Sequence, residues 1–243
     1  MSVLFGLPMY GGSPEGGFFE SWDAAKEALI ASGLDFDADK IVNESAVHRA
    51  RNTIVADFLE SRFQKLMFID ADICNFTADD IARLWNINTG LAGITAGIYP
   101  MKKFGAAYAA WRNGSLVDRA SFGQEPFEVD YAGTGFMMID RAVFTKIIQK
   151  FPEIEYTGAR EDGSLRQMYQ VFRFPLVTEE DGTVIELSED YNLCKMWREL
   201  GGTVVVDPAI ELYHEGKYRF GREHSEERKA DESGDSQGPG SAG

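Results

Sequence analysis

A chain of 243 residues, 44% of them hydrophobic, can bury a sizeable core, and its length fits one compact domain. Its 24 Lys and Arg stand against 39 Asp and Glu, a net charge of -15 that repels phosphate backbones and makes nucleic acid a disfavoured partner. There is no apolar run of the roughly 18 residues a transmembrane helix needs, no charged region before the first apolar stretch, and neither zinc nor disulfide spacing in Cys74 and Cys194, so a soluble protein of a reducing, cytoplasmic compartment is expected.

In chain order, Val3 to Leu7 reads as a strand, followed by a Gly-rich turn and a helix near Phe18 to Ala31. Asp35-Phe36-Asp37-Ala38-Asp39 reads as a solvated turn; an EF-hand is excluded there because Lys40 and Ala46 stand where a glycine and a glutamate are needed. Helical spacing runs from Ser45 to Phe63 and leads into an apolar strand, Leu66 to Ile69. Thr77, with Asp79 and Asp80, opens another helix through Trp85, and a further unit covers Leu91 to Tyr99. Ala106 to Val117 is expected to form a hairpin turning at Asn113-Gly114, and Phe136 to Ile139 a strand entering a helix that ends at Lys150. Ser188 to Leu200 reads as a helix stopped by Gly201-Gly202, before a strand at Val204 to Val206. The stretch 222–243 has no apolar residue larger than alanine with which to join a core and reads as a disordered tail, leaving 1–221 as the domain.

Strands alternating with helices predict an α/β fold with a mainly parallel central sheet and helices on both faces, whose ligands gather at the carboxyl ends of the strands. Asp70-Ala71-Asp72 emerges at such an end, directly after Leu66 to Ile69, and two hard oxygen ligands there can hold a divalent cation against a diphosphate. A haloacid-dehalogenase-type phosphatase also uses an aspartate pair after a strand, with Asp70 as nucleophile. That pattern continues with Thr or Val where this chain has Cys74, and the strand and helices that precede the pair depart from it further. Gly133-Thr134-Gly135 departs from a dinucleotide fingerprint, because Met138 stands at the third glycine, and no P-loop Lys-Ser or Lys-Thr follows. The sequons at Asn43, Asn75 and Asn113 have no secretion signal beside them and are read as coincidence.

Four landmarks occur in order: Asp70-Ala71-Asp72, the loop Tyr131-Ala132-Gly133-Thr134-Gly135-Phe136, Ser188-Glu189-Asp190 opening a helix, and His214 near the end of the domain. Together they resemble the GT-A-type glycosyltransferases, the family 2 enzymes and related short viral and bacterial members, over roughly Val3 to Gly221. The resemblance implies transfer of a sugar from a nucleotide-diphosphate donor, UDP- or GDP-linked, to an acceptor hydroxyl, assisted by Mn²⁺ or Mg²⁺. It implies Asp70, Asp72 and His214 as the metal set, Asp70 also approaching the donor ribose, and Asp190 as the base of an inverting reaction. Gly133, Thr134 and Gly135 would border donor sugar and acceptor, and Pro8 and Tyr10 would cradle the nucleotide base.

A guanidinium fork suits a diphosphate, and of Arg49 and Arg51, two apart on one helix, Arg51 is preferred because similar short enzymes show an Arg-Asn pair where Arg51-Asn52 stands. Lys103 and Lys217 are further phosphate candidates. Besides the phosphatase, a non-catalytic nucleotide- or sugar-binding module is the other reading, one that would keep the fold without needing Asp190.

Overall fold

Strand β1 (Ser2–Met9) is buried from Val3 onward, as a strand covered on both faces must be. The computed structural model describes residues 2–90, 92–104, 107–119, 123–160, 162–178 and 181–221. After β1 come α1 (Gly16–Ala31), β2 (Asp35–Val42), α2 (Val47–Glu60), β3 (Lys65–Ile69), the short β4 (Ile73–Cys74), α3 (Ala78–Ile87) and β5 (Ile94–Gly97). A small hairpin, β6 (Ala110–Arg112) and β7 (Ser115–Leu116), precedes β8 (Phe127–Val129), β9 (Tyr131–Ala132), β10 (Phe136–Asp140) and α4 (Arg141–Lys150). Two further hairpins, β11 (Glu155–Ala159) with β12 (Leu165–Tyr169) and β13 (Leu176–Thr178) with β14 (Val184–Glu186), lead to α5 (Glu189–Glu199), β15 (Val204–Asp207) and β16 (Tyr213–His214).

The seven-stranded sheet has the order β2-β1-β3-β10-β5-β15-β8. Its β2, β1, β3, β5 and β15 run one way, while β10 and β8 run against them. The expected α/β architecture is therefore present, with β10 as an antiparallel strand inside a mainly parallel sheet.

Alternation along the central strands divides the core in two. Leu4, Leu66, Phe68, Met137 and Ile139 face Ile54, Phe58, Phe144 and Trp197 of α2, α4 and α5. Val3, Phe5, Met67, Ile69, Phe136 and Met138 face Phe18, Trp22, Ile81 and Leu84 of α1 and α3. Three of these helices begin at a side-chain cap. Thr77 and Asp80 form a reciprocal capping box at α3, and the Asp140 and Ser188 side chains accept from Ala142 N and Tyr191 N.

The Asp35 to Asp39 run is not a turn: it begins an edge strand that pairs with β1 over eight positions. Its acid–apolar alternation is strand periodicity, with Phe36 and Ala38 packed against the α1 side. Helix α2 is shorter at both ends than the Ser45 to Phe63 periodicity suggests. The exposed hairpins at 155–169 and 176–186 bury too little to leave an apolar signature. The Asn113-Gly114 turn forms as expected, with both residues at positive φ, while Ala106, Leu91 and the stretch 222–243 lie outside the described residues. Asn43 and Asn75 also hold positive φ, a conformation asparagine tolerates, which explains these residues as turn formers. Cys74 and Cys194 are free and buried, and burial raises their thiols to about 11 and about 12. No helix among the described residues is long and apolar enough to cross a membrane.

Asp39 faces Asp57 of α2, itself paired with Arg166 of β12. Burial, followed by the charge and hydrogen bond of Asp57, pushes Asp39 up to about 7. An acid whose pKa rises on folding favours the folded state while protonated, so this contribution is complete below about pH 4 and is lost as pH rises through 7. Asp39→Asn should therefore raise the melting temperature above that of the parent at about pH 8 and leave it nearly unchanged at about pH 4, as read by circular dichroism melts.

Candidate active site

Asp70 ends β3, and the chain then turns tightly, Ile73 N donating to Asp70 O at 3.0 Å. Three backbone ties fix this turn. Asp70 N donates to Gly135 O in the glycine loop at 2.9 Å, Glu15 N before α1 donates to Ala71 O at 2.9 Å, and Glu215 N donates to Asp72 O at 2.7 Å. The β4–β16 ladder pairs Ile73 with His214, which brings the late histidine to the aspartate pair across more than half the chain. The segment is locked further by Glu215, whose carboxylate accepts from Gly17 N at 2.9 Å and pairs with Arg219.

Arg51, on the inner face of α2, is 3% exposed and holds three carboxylates. Its Nη2 donates to both oxygens of Asp70 at 3.0 and 2.9 Å, and its Nη1 to Glu189 Oε1 at 3.0 Å and Asp190 Oδ1 at 2.5 Å. Burial alone would lower the guanidinium's pKa; the charges of Asp190, Asp70 and Glu189 override it and push the pKa up, so Arg51 is permanently charged. Burial raises Asp70 and Glu189, because one cation cannot balance three anions away from water. Arg51 faces inward from α2, whereas Arg49 is exposed and pairs with Glu44. Its fork, however, is spent on protein carboxylates instead of being presented to a diphosphate. Asn52 turns to the other side, its amide donating to Phe172 O at 2.8 Å and accepting from Phe172 N at 2.9 Å. This clasp holds the Phe172 ring beneath the Arg51 guanidinium, 5.7 Å from its centroid.

Asp72 and His214 meet, with Nε2 3.5 Å from Asp72 Oδ2, while His214 Nδ1 lies 3.1 Å from Pro100 O. A carbonyl partner on Nδ1 orients the ring so that Nε2 faces Asp72, the kind of support that positions a metal-binding imidazole. Asp72 Oδ1 is buried and has no hydrogen-bond partner among the described residues. Burial would raise Asp72, but hydrogen bonds from His214 and from Lys102, whose Nζ is 2.6 Å from Oδ2, hold it at about 2. An anionic carboxylate whose Oδ2 faces an imidazole nitrogen is a donor pair that fits a divalent cation. Asp70 does not join them. Arg51 takes both its oxygens, and among the described residues no three His, Cys, Asp or Glu side chains gather closely enough to surround an ion.

The glycine loop is shaped by Tyr99, which the sequence reading did not single out. A Cβ on Gly133 or Gly135 would lie 2.4 or 2.7 Å from the Tyr99 hydroxyl, so only glycine fits at either position. Gly135 N donates to that hydroxyl at 3.0 Å. Thr134, between them, is fully buried, its hydroxyl donating to Asp190 Oδ1 at 2.9 Å and its N–H to Oδ2 at 3.3 Å. Asp190 is thus held from two sides, with Oδ2 carrying only the longer bond.

A cleft of about 270 Å³ opens at the carboxyl ends of β1 and β3, lined among others by Pro8, Met9, Tyr10, Asp70, Ala71 and Asp72. Tyr10 is 75% exposed at its rim. Lys103 and Lys217 are exposed and line no part of it. Lys102, one residue earlier than expected, reaches the site instead, and nothing in the Lys102-Lys103 pair reveals which would turn inward.

No protein-family model matches the chain, and no curated protein sequence matches it. Among solved structures it is similar to A197 from STIV, at 16% identity over 92% of each chain and a TM-score of 0.54, which is a likeness of fold. It also aligns with GalNAc-T7 in complex with UDP, GalNAc and Mn²⁺, at 12% identity and a TM-score of 0.47, over 91% of this chain and 44% of that one. A glycosyltransferase involved in glycosylation of the major capsid of PBCV-1 aligns over 62% of this chain and 67% of its own, at 11% identity and a TM-score of 0.37.

Replacing Arg51 by methionine leaves the buried Glu189 and the partly buried Asp70 and Asp190 without their cation. Urea unfolding of Arg51→Met at neutral pH should show a loss of about 3 kcal/mol or more. Because the acids then favour their protonated forms when folded, the loss should shrink as the pH is lowered to about 5.

Proposed function

We propose that this chain is a glycosyltransferase that moves one sugar from a UDP- or GDP-linked donor to an acceptor hydroxyl, with Mn²⁺ or Mg²⁺ held by Asp72 and His214. The observation that carries this reading is the convergence of three things at the carboxyl end of the sheet: the cleft beside Asp70 to Asp72, the Asp72–His214 pair, and the doubly fixed Asp190. Bound there, the cation supplies Lewis-acid neutralisation of the charge that grows on the diphosphate as the glycosidic bond breaks.

The protein's own residues divide the remaining tasks. Pro8, Met9 and Tyr10 form the wall on which a nucleotide base packs. Gly133 and Gly135 keep the loop low enough for a sugar to approach the backbone. Asp190 takes the acceptor's proton at Oδ2, since Oδ1 already accepts from Arg51 and Thr134. With Asp190 as the acceptor's base, the transfer would invert the anomeric carbon. Arg51 keeps Asp190 aimed. Asp70, gripped through both oxygens, acts as a fixed anion at the cleft wall, an engagement that also counts against its serving as a phosphatase nucleophile.

A screen of nucleotide-sugar hydrolysis with and without Mn²⁺ tests the assignment directly, and release of phosphate from simple phosphoesters in its place would overturn it. Asp72→Ala should remove the Mn²⁺-dependent part of nucleotide-diphosphate affinity in calorimetry; unchanged affinity with Mn²⁺ present would sink the metal assignment. Asp190→Asn should bind donor as the parent does and lose about 10²-fold or more in turnover, whereas near-parental transfer would remove the base assignment.

A further inference from the structure

Lys102 occupies an unusual position for a loop lysine. Its ammonium donates to Asp72 Oδ2 at 2.6 Å, and the same oxygen lies 3.5 Å from His214 Nε2. Its side-chain stem runs over Gly216, where an added Cβ would meet Lys102 Cδ at 3.4 Å. The turn that carries it is pinned at Phe104, whose ring packs on Phe220 at 5.1 Å and Tyr218 at 5.6 Å. Phe220 in turn pairs through its backbone with His214, so the lysine loop and the histidine strand are fastened together.

We propose that Lys102 is a built-in competitor for the divalent cation: its ammonium and the ion exclude each other from Asp72 Oδ2. The inference rests on the reading of Asp72 and His214 as the metal pair. Two cations cannot share one carboxylate oxygen at contact distance without strong repulsion. The side chain is 37% exposed, so leaving Asp72 returns the ammonium to water at little cost. The lysine meanwhile neutralises Asp72 whenever no ion is bound, in a region where Asp70, Glu189 and Asp190 already exceed the charge of Arg51. Metal affinity in the absence of nucleotide is therefore held down by a residue that is itself no ligand.

The test is Mn²⁺ titration of the full chain without nucleotide, by electron paramagnetic resonance of the free ion and by calorimetry. Lys102→Met and Lys102→Gln should each bind Mn²⁺ about fivefold or more tightly than the parent, the scale of a half-exposed ion pair. Lys102→Arg, which keeps the charge, should show no such gain, and Lys102→Met combined with Asp72→Asn should lose it. Melting curves verify that each variant is folded, which is expected for an exposed loop position. If the neutral variants bind no more tightly than the parent while Asp72→Asn weakens binding, the competition is refuted and the metal pair stands. If no variant binds Mn²⁺ at all, both are refuted.

Discussion

Arg51 gathers Asp70 from the end of β3 and Glu189 and Asp190 from the start of α5, elements separated by more than a hundred residues, and it does so from a helix that would otherwise contribute only to the core. Three anions this close would repel one another, and each would favour protonation; one buried guanidinium makes their coexistence possible. The remaining architecture follows from the need to bury that cation with all its partners. Helix α2 must lie against β1 and β3, α5 must begin at the sheet edge, and the glycine loop must stay low enough for Thr134 to reach Asp190. The sheet supplies rigidity, and Arg51 turns that rigidity into fixed carboxylates.

Beside this centre lies a second unit built differently. Asp72 and His214 are brought together by a two-residue ladder and by Glu215, whose carboxylate caps the first turn of α1. Local backbone pairing, not a buried ion pair, does the positioning here, and the groups remain partly open to solvent. That difference suits their tasks in the proposed reaction. A base must be held in one place as a bond forms, while a cation-binding pair must admit and release its ion.

The legible part of this molecule was the part with strong periodicity. Continuous apolar runs such as Leu66 to Ile69, and capped amphipathic helices such as the one after Thr77, state their structure locally, because burial and end-capping depend on neighbours in sequence. Asp35 to Asp39 misled because its charges suggested solvent, whereas an edge strand needs only one apolar face and can display acids on the other. Within the site, Arg51 was visible as inward-facing, but its partners were not. That one guanidinium serves three carboxylates depends on how β3 and α5 meet in space, and no spacing along the chain encodes it. Tyr99 escaped for the same reason: its importance lies in excluding side chains at Gly133 and Gly135, a constraint that exists only once β5 stands beside β10. His214 was singled out by a resemblance of motif, and the pairing of β16 with β4 is what brings it beside Asp72.

The placement of charge across the two units argues for a division between permanent and exchangeable cations. Arg51 is buried, fixed by a fork to Asp70 and by single bonds to two more acids, and its removal would strand all three, so it cannot leave. Lys102 touches one carboxylate from a loop and retains access to water, so it can. The proposed enzyme, which would accept a highly anionic donor and later release a nucleotide diphosphate, needs both kinds. A site neutralised entirely by fixed cations would retain the product; one without them would have no preformed place for the base. In the proposed reaction the charge exchanged as ion and donor enter and leave is confined to Asp72, His214 and Lys102, while Asp190 changes only by the proton it takes, in surroundings that Arg51 and Thr134 keep fixed.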